Sequence, residues 1–465
     1  MVRIQGSPSV QYINAALSWI YKLFRDGARH FALDDRFRAE TTVNLNNALR
    51  RWVVVGASAL MTGLSASGPA QAADVEVLHW WTSGGEARSV EELKRLLASQ
   101  GVTWRDFAVA GGGGDAAMSA LKQRVDAGHP PTAAQIKGPA IQDWGRKGVL
   151  ANLDDVAAAG NWDIKLPRTV AQQMKVDGHW AAVPVNVHRV NWLWINKDLL
   201  TKVGGRVPDT WDSFFALADR FKAAGIVPLA HGGQPWQDLT TFEIVGLGVG
   251  GADFYRQAFV AMDPAAWRSP TMTRVIDTFR RLKPYTDKEA PGRDWNKATE
   301  MVIKGRAGMQ FMGDWAKGEF LAAGKKPESD FVCTAAPGTW NAYIYNIDSF
   351  AMFRLSDPQA VQGQKALATT IMSSQFQEIF NLNKGSIPAA VGSDMTRFDH
   401  CGQESSAYFV AASLSNTLVP SFAHKMAQSD SHVAAVQAIV ARLWDDDSYA
   451  AAKAQADLVA AASVR

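Results

Sequence analysis

The sequence predicts an α/β fold with parallel sheet, divided over two domains, and three observations carry that expectation. Short apolar runs alternate with amphipathic segments of helical length, the pattern of strand–helix–strand units. About 390 residues remain beyond an N-terminal export leader, too many for one simple core. The chain shows no repeat of fixed period and no long linker rich in Pro, Gly or Ser.

Taken in order, the leader comes first. Arg50 and Arg51 supply a basic flank, WVVVGASALMTGLSA an apolar stretch too short to span a bilayer, and Ala70, Gln71 and Ala72 an A-x-A cleavage site. The mature chain is therefore expected to begin at Ala73, after general secretory export to the periplasm. No Cys follows the cleavage site, which argues against a lipid anchor there. Signal peptides rarely carry an extension as long as residues 1–49, so translation is expected to start at Val43 or Leu45 rather than Met1. Of the 48 Lys+Arg and 45 Asp+Glu, 8 and 4 fall in residues 1–72, leaving 40 against 41 and a net charge of −1. No basic stripe in the mature part points to nucleic acid. Beyond the leader no apolar run is long enough to cross a membrane. The two cysteines, Cys333 and Cys401, are an even pair in an oxidising compartment and are expected to form a disulfide. Neither belongs to a CxxC or Cys/His cluster, so no metal site is expected.

VEVLHWW reads as the first strand, SVEELKRLLASQ as a helix and WRDFAVA as the second strand. AAMSALKQRVDAG is helical, TAAQIKG a short third strand, and AIQDWGRKG another helix. HWAAVPVNVHRVNWLWINKDLL is long and extended with Pro184 inside it, suited to passing from one domain to the other. Trp180, Trp192 and Trp194 in this stretch are read as hinge and interlobe packing. WDSFFALADRFKAAG and SPTMTRVIDTFRRLKPY are amphipathic helices. AGMQFMGDW and WNAYIYNIDSFAMF return to strands, and the chain from Asp357 onward is mostly helical. Asp445, Asp446 and Asp447 read as a solvated run at a helix end.

Ligands of open parallel sheets bind beyond the carboxyl ends of the strands. Trp80, Trp81, Thr82 and Glu86 stand at such an end, Gln135 and Lys137 at another, and Asp314 and Trp315 at a third. Asp348 sits in a stretch otherwise suited to burial, and Lys384 in a turn beside Gly385. The chain holds 17 Trp, far above ordinary usage. Indoles cover the apolar faces of sugar rings, while carboxylates, amides, Lys and His bond the hydroxyl rim by charge-assisted hydrogen bonds. The Gly-rich AGGGGD run at residues 110–115 lacks the Lys-Ser/Thr of a phosphate loop and reads as a flexible turn.

HWWTSGGE behind a signal peptide, QIKGP, KGRAGM with GDW, and NKGSIPA resemble the extracellular solute-binding proteins (family 1) of bacterial ABC sugar importers. Within them the likeness is to the periplasmic glucose or glucose/mannose-binding proteins of proteobacteria. The resemblance covers the mature chain from Asp74 onward; KGRAGM and GDW are shared broadly, HWWTSGGE and NKGSIPA more narrowly. It implies a two-lobed periplasmic binding protein of class II type, with a cleft between lobes and several hinge crossings. Lobe 1 would hold residues 73–184 and 305–352, lobe 2 residues 185–304 and 353–465. It also implies that Trp80, Trp81, Glu86, Gln135, Lys137, Trp295, Trp315, Asp348, Lys384 and His424 bind the sugar. A monosaccharide ligand, membrane permease subunits and a chemoreceptor are the implied partners of a monomer that needs no cofactor. Two rivals are a binder of disaccharides or longer sugars and a secreted glycoside hydrolase. The second needs one of two carboxyls held protonated, and cations at Lys137 and Lys384 oppose that for Glu86 and Asp348.

Overall fold

The computed structural model describes residues 73–463. The cleavage site after Ala72, the leader and the start-codon reading lie outside the described residues.

The expected alternation is present at once. Strand β1 (Ala73–His79) leads through helix α1 (Gly84–Ala98) to β2 (Val102–Ala108), and α2 (Asp115–Asp126) leads to β3 (Ala133–Gln135) and α3 (Pro139–Arg146). Helix α1 buries Val90, Leu93, Leu96 and Leu97 along one stripe, the 3–4 spacing that an amphipathic helix requires. Strands β4 (Lys175–Val176) and β5 (His179–Trp180) form a hairpin whose two-residue Asp177-Gly178 loop has positive φ at both positions. The chain continues through β6 (Ala182–Pro184), β7 (His188–Arg189) and β8 (Trp192–Asn196). Then come α4 (Trp211–Ala223), β9 (Val227–Leu229), α5 (Pro235–Tyr255), α6 (Pro270–Leu282) and α7 (Trp295–Ile303). Helix α6 starts from Ser269, whose hydroxyl accepts from Met272 N, with Pro270 at its first position. Next are β10 (Ala307–Phe311), α8 (Trp315–Ala322), β11 (Phe331–Ala335), β12 (Tyr343–Asn346) and β13 (Ser349–Met352). Helices α9 (Pro358–Ile371), α10 (Ser374–Lys384) and α11 (His400–Leu414) precede β14 (Leu418–Pro420), α12 (Asp430–Asp445) and α13 (Ala451–Ala462).

Two sheets organise two cores. The first has the order β2-β1-β3-β13-β6, with β1 parallel to β2 and β3 and with β13 antiparallel to β3 and β6. The second has the order β11-β8-β10-β9. Each lies in its own buried apolar cluster. A small third sheet, β14-β12-β7, stands where the chain passes between them. Strand β7 joins β6 of the first sheet to β8 of the second, and β12 joins β11 back to β13. Strand β14 leads from α11 to α12, which packs on α5 in lobe 2. This is the two-lobed, multiply hinged architecture expected.

The lobe boundaries differ from expectation. Residues 305–352 do not all belong to lobe 1: β10 and β11 both pair with β8 in the second sheet, and only β13 joins the first. Nor does lobe 2 own everything after 353, because α9 packs on β1, and α10 on α1. The reason is physical. Every residue of β10 is buried, so its pattern suits a central strand in either sheet, and pairing between distant segments has no local signal. Trp180, Trp192 and Trp194 also depart from the interlobe role read for them. Trp180 packs edge-on to Trp162 in the first core, while Trp192 and Trp194 lie on β8 in the second. The acid run ends α12 as expected, with Asp446 facing Arg442 and Asp447 facing Lys283.

Cys333 and Cys401 form the expected disulfide, joining β11 to the first turn of α11 across a separation of 68 residues. In the chain-entropy view, closing such a loop contributes about 4 kcal/mol. Replacing both cysteines by serine is expected to lower the unfolding free energy by that order. Urea denaturation would read it as a lower midpoint with a slope no smaller than before, since the uncrosslinked denatured chain is more expanded, and an unmoved midpoint and slope would show the bond to be energetically silent.

Candidate functional site

A cavity of about 350 Å³ lies between the lobes. It is at the small end of the range of roughly 300–1,000 Å³ for ligand pockets. Its first wall comes from the loop between β1 and α1. Trp80 lines the cavity with the Lys137 ammonium 5.1 Å from its ring centroid. Trp81 turns the other way, into Phe350 (5.4 Å) and Phe380 (5.2 Å), so it borders the site while belonging to the core. The adjacent tryptophans thus serve two environments because the strand has already ended at His79. Glu86, in the first turn of α1, accepts from Ser83 N (3.4 Å) and from Lys384 Nζ (2.7 Å). Lys384 is the last residue of α10, stopped by Gly385 at φ 91°. A Cβ at Gly385 would lie 2.3 Å from Asp314 O, so only glycine allows that close approach.

The floor of the cavity is a buried chain of charge in the hinge. His188, on β7, uses both ring nitrogens: Nδ1 bonds Asp314 Oδ1, and Nε2 bonds Asp348 Oδ2 at 3.0 Å. Asp314 Oδ2 also accepts from Arg189 N at 2.9 Å. Burial alone would discharge this imidazole, but the two carboxylates outweigh it and raise its pKa. Burial would likewise raise Asp348. His188, Lys137 and Lys384 reverse that and hold it well below the usual carboxylate range. Lys137 is pushed down by burial, opposed by Asp348. Among the described residues Lys137 makes no hydrogen bond or ion pair, although it is almost wholly buried.

Lobe 2 supplies the opposite wall. Trp236, Trp295 and His424 line it, along with Asp294 and Asn296. Gln234 fixes two of these at once, accepting from Trp236 Nε1 (2.9 Å) and donating to Asp294 Oδ1 (2.7 Å). Trp315, the first residue of α8, packs edge-on against His188 (5.2 Å between centroids) and against His424 at 5.0 Å. The tautomer of His424 follows from its neighbours. Ser421 Oγ donates to Glu243 Oε1 (2.6 Å), so toward His424 it accepts, from the backbone N (3.1 Å) and from Nδ1–H (2.9 Å). Nε2 is then a bare acceptor, buried and without a partner among the described residues. Burial keeps this imidazole neutral, lowering its pKa despite Glu243.

Nine of the ten residues expected at the site line this one cavity: Trp80, Trp81, Glu86, Lys137, Trp295, Trp315, Asp348, Lys384 and His424. Gln135 does not. It lies fully buried behind Trp80, and its Oε1 accepts from Trp80 N at 3.3 Å, so it positions the indole from below. Sequence reasoning missed His188, Trp236, Asn346, Asp294 and Asn296. For His188 a signal existed, a titratable residue alternating with apolar ones inside the extended VNVHRVN run. Asn346 stands just before the IDSF segment, and its Oδ1 is buried without a partner among the described residues. The Gly-rich turn at 110–113 also lines the cavity. Charged and unpartnered polar groups between indole faces are suited to gripping a polyhydroxylated ring, and Asp348, held well below the usual carboxylate range, is poorly suited to acid catalysis.

Comparison with known proteins agrees. Residues 101–349 match the family described as bacterial extracellular solute-binding protein. A probable sugar-binding periplasmic protein of Brucella suis is 49% identical over 390 residues, covering 84% of this chain and 92% of that one. In structure, the bacterial solute receptor AcbH, described by an exclusive substrate preference for β-D-galactopyranose, superposes with a TM-score of 0.70 at 19% identity. The alignment covers 83% of this chain and 97% of the receptor. A chitin oligosaccharide binding protein gives 0.71 at 18% identity, over 84% and 98%. At such identities these two structures establish the fold alone. With half its length matched by the family and a relative at 49% identity, the chain belongs to the bacterial extracellular solute-binding proteins, as a periplasmic, non-enzymatic sugar-binding component of an ABC transporter.

Proposed function

We propose that the protein closes on a single pyranose, glucose or a near epimer such as mannose or galactose, and presents it to the permease subunits. One observation carries this reading. Polar atoms from both lobes and the hinge, Lys137 Nζ with the buried Asn346 Oδ1 and His424 Nε2, converge without a hydrogen-bond partner among the described residues on a small cavity walled by Trp80, Trp236, Trp295 and Trp315. Buried polar groups without partners cost about 1–3 kcal/mol each. A ligand with hydroxyls at matching points removes that cost, and one without them does not. Closure follows as a population shift, because only the closed form brings the lobe 2 groups onto the sugar. A disaccharide is the second reading, favoured by the chitin oligosaccharide binder among proteins of the same fold; a volume of about 350 Å³ has room for either.

Calorimetry of the purified protein against glucose, mannose, galactose, maltose and cellobiose is expected to show one-to-one binding of a monosaccharide with no product sugar formed. Binding confined to the disaccharides, or turnover, would sink the proposal. Lys137→Ala is expected to weaken binding by about 2 kcal/mol, close to 30-fold, as the loss of a charge-assisted bond; unchanged affinity would remove Lys137 from the site. The pH dependence has a definite sign. Because His424 is held neutral below the ordinary imidazole value of about 6.5, affinity should stay flat through neutral pH. It should fall only on the acid side, as protonation takes the Nε2 acceptor away. His424→Gln keeps an acceptor and should abolish that acid limb in a tryptophan-fluorescence titration.

A further inference from the structure

The Gly-rich turn between β2 and α2 offers the cavity no polar side chain at 110–113, yet it lines the cavity and touches both lobes. A Cβ at Gly114 would lie 3.0 Å from the six-membered ring of Trp80. A Cβ at Gly112 would lie 2.7 Å from Trp236 Cζ2 and 3.1 Å from Trp295 Cδ1. A Cβ at Gly113 would lie 3.4 Å from Trp236 Cγ, in ordinary contact. The backbone of the turn is therefore wedged between one indole of lobe 1 and two of lobe 2, at Gly112 too closely for a side chain without a shift of the ring it meets. Just beyond it, Asp115 pairs with Lys425 Nζ of lobe 2 at 2.5 Å. Gly138 comes equally close to lobe 2, since its Cβ would lie 2.3 Å from Lys425 O. These contacts span the cleft on one side of the cavity and exist only when the lobes meet.

From this geometry we infer that the glycine run at 111–114 is a length filter for the sugar site, with Gly112 its specificity-determining residue. The inference rests on the proposed sugar-binding reading and narrows it. In the closed form the bare backbone seats on Trp236 and Trp295 and caps the cavity on that side. A single ring fits beneath the cap. A sugar bearing a second ring there holds the turn off the two indoles, keeps lobe 2 from closing, and forfeits His424 and Trp295 together. The ligand class selected is the unextended pyranose. Size exclusion is set by main chain rather than by a bulky side chain, so it cannot relax by a rotamer change.

Gly112 is the position to test, because its φ lies outside the left-handed region and alanine is compatible with its backbone. The expected results are glucose binding by the wild type with maltose and cellobiose at least tenfold weaker, and a tenfold or greater loss of glucose affinity in Gly112→Ala. Introduced alongside Trp236→Ala, which removes the ring the methyl strikes, the same substitution should cost less than threefold. Trp236→Ala alone should raise disaccharide affinity relative to glucose at least tenfold, and this arm stands even where Gly112→Ala fails to fold. The filter is overturned by wild-type disaccharide binding as tight as glucose binding, by a Gly112→Ala loss equal in both backgrounds, or by an unchanged ratio in Trp236→Ala. A wild type that binds glucose while the variants behave in these ways rejects the filter alone. A wild type that binds none of the sugars rejects the site reading and the filter with it.

Discussion

The structure depends on keeping several charges buried where two lobes meet, and the constraint is solved at His188. An imidazolium between Asp314 and Asp348 ties three remote segments, the β7 crossing, the start of α8 and the β12–β13 turn, into one hydrogen-bonded unit. Removing any one partner would strand a charge in a dry interior, a cost of several kcal/mol. The arrangement leaves Asp348 ionised and fixed in place before any ligand arrives. Preorganisation of this kind reduces what binding must spend on ordering side chains. It also removes the one property a glycosidase needs from a carboxyl, the readiness to hold a proton.

The second ion pair, Lys384 with Glu86, extends the same logic to lobe 1. Lys384 ends a helix that packs on α1, and Glu86 opens α1, so two helix termini face the cavity with opposite charges. In contrast, Lys137 stands over the Trp80 face, 5.1 Å from the ring centroid, with no hydrogen bond or ion pair among the described residues. Tryptophan is divided in the same way. Five of the 17 line the cavity, while Trp162, Trp192, Trp194 and Trp267 are wholly buried in the two cores.

What could be read in the sequence follows from which interactions are local. Trp80, Trp81, Lys137 and Lys384 sit at strand or helix ends marked by Gly and Pro, and punctuation of that kind is visible in one dimension. The parallel β1, β2 and β3 were legible for the same reason, being strands separated by amphipathic helices. His188 and Trp236 were not, because each owes its role to partners more than a hundred residues away, such as Asp314 and the turn at 110–113. Gln135 was placed one shell too far forward: the residue type suits a sugar, but its strand position aims it at the backbone of Trp80. The lobe boundaries failed where β10 could have joined either sheet, a choice made by tertiary pairing alone.

The disulfide has a consequence for the second sheet. β11 is an outer strand there, paired along its length with β8 and bridged at Phe331 to Pro327. Unprotected outer strands recruit other chains through their free amide and carbonyl groups. The bond from Cys333 to Cys401 pins α11 beside this margin, and α11 is itself anchored to the hinge by Ser405 on Tyr343 and by Tyr408 against Arg189. A covalent rivet thus guards the rim of the sheet against illicit partners, and thiol oxidation becomes the step that makes the molecule safe to accumulate.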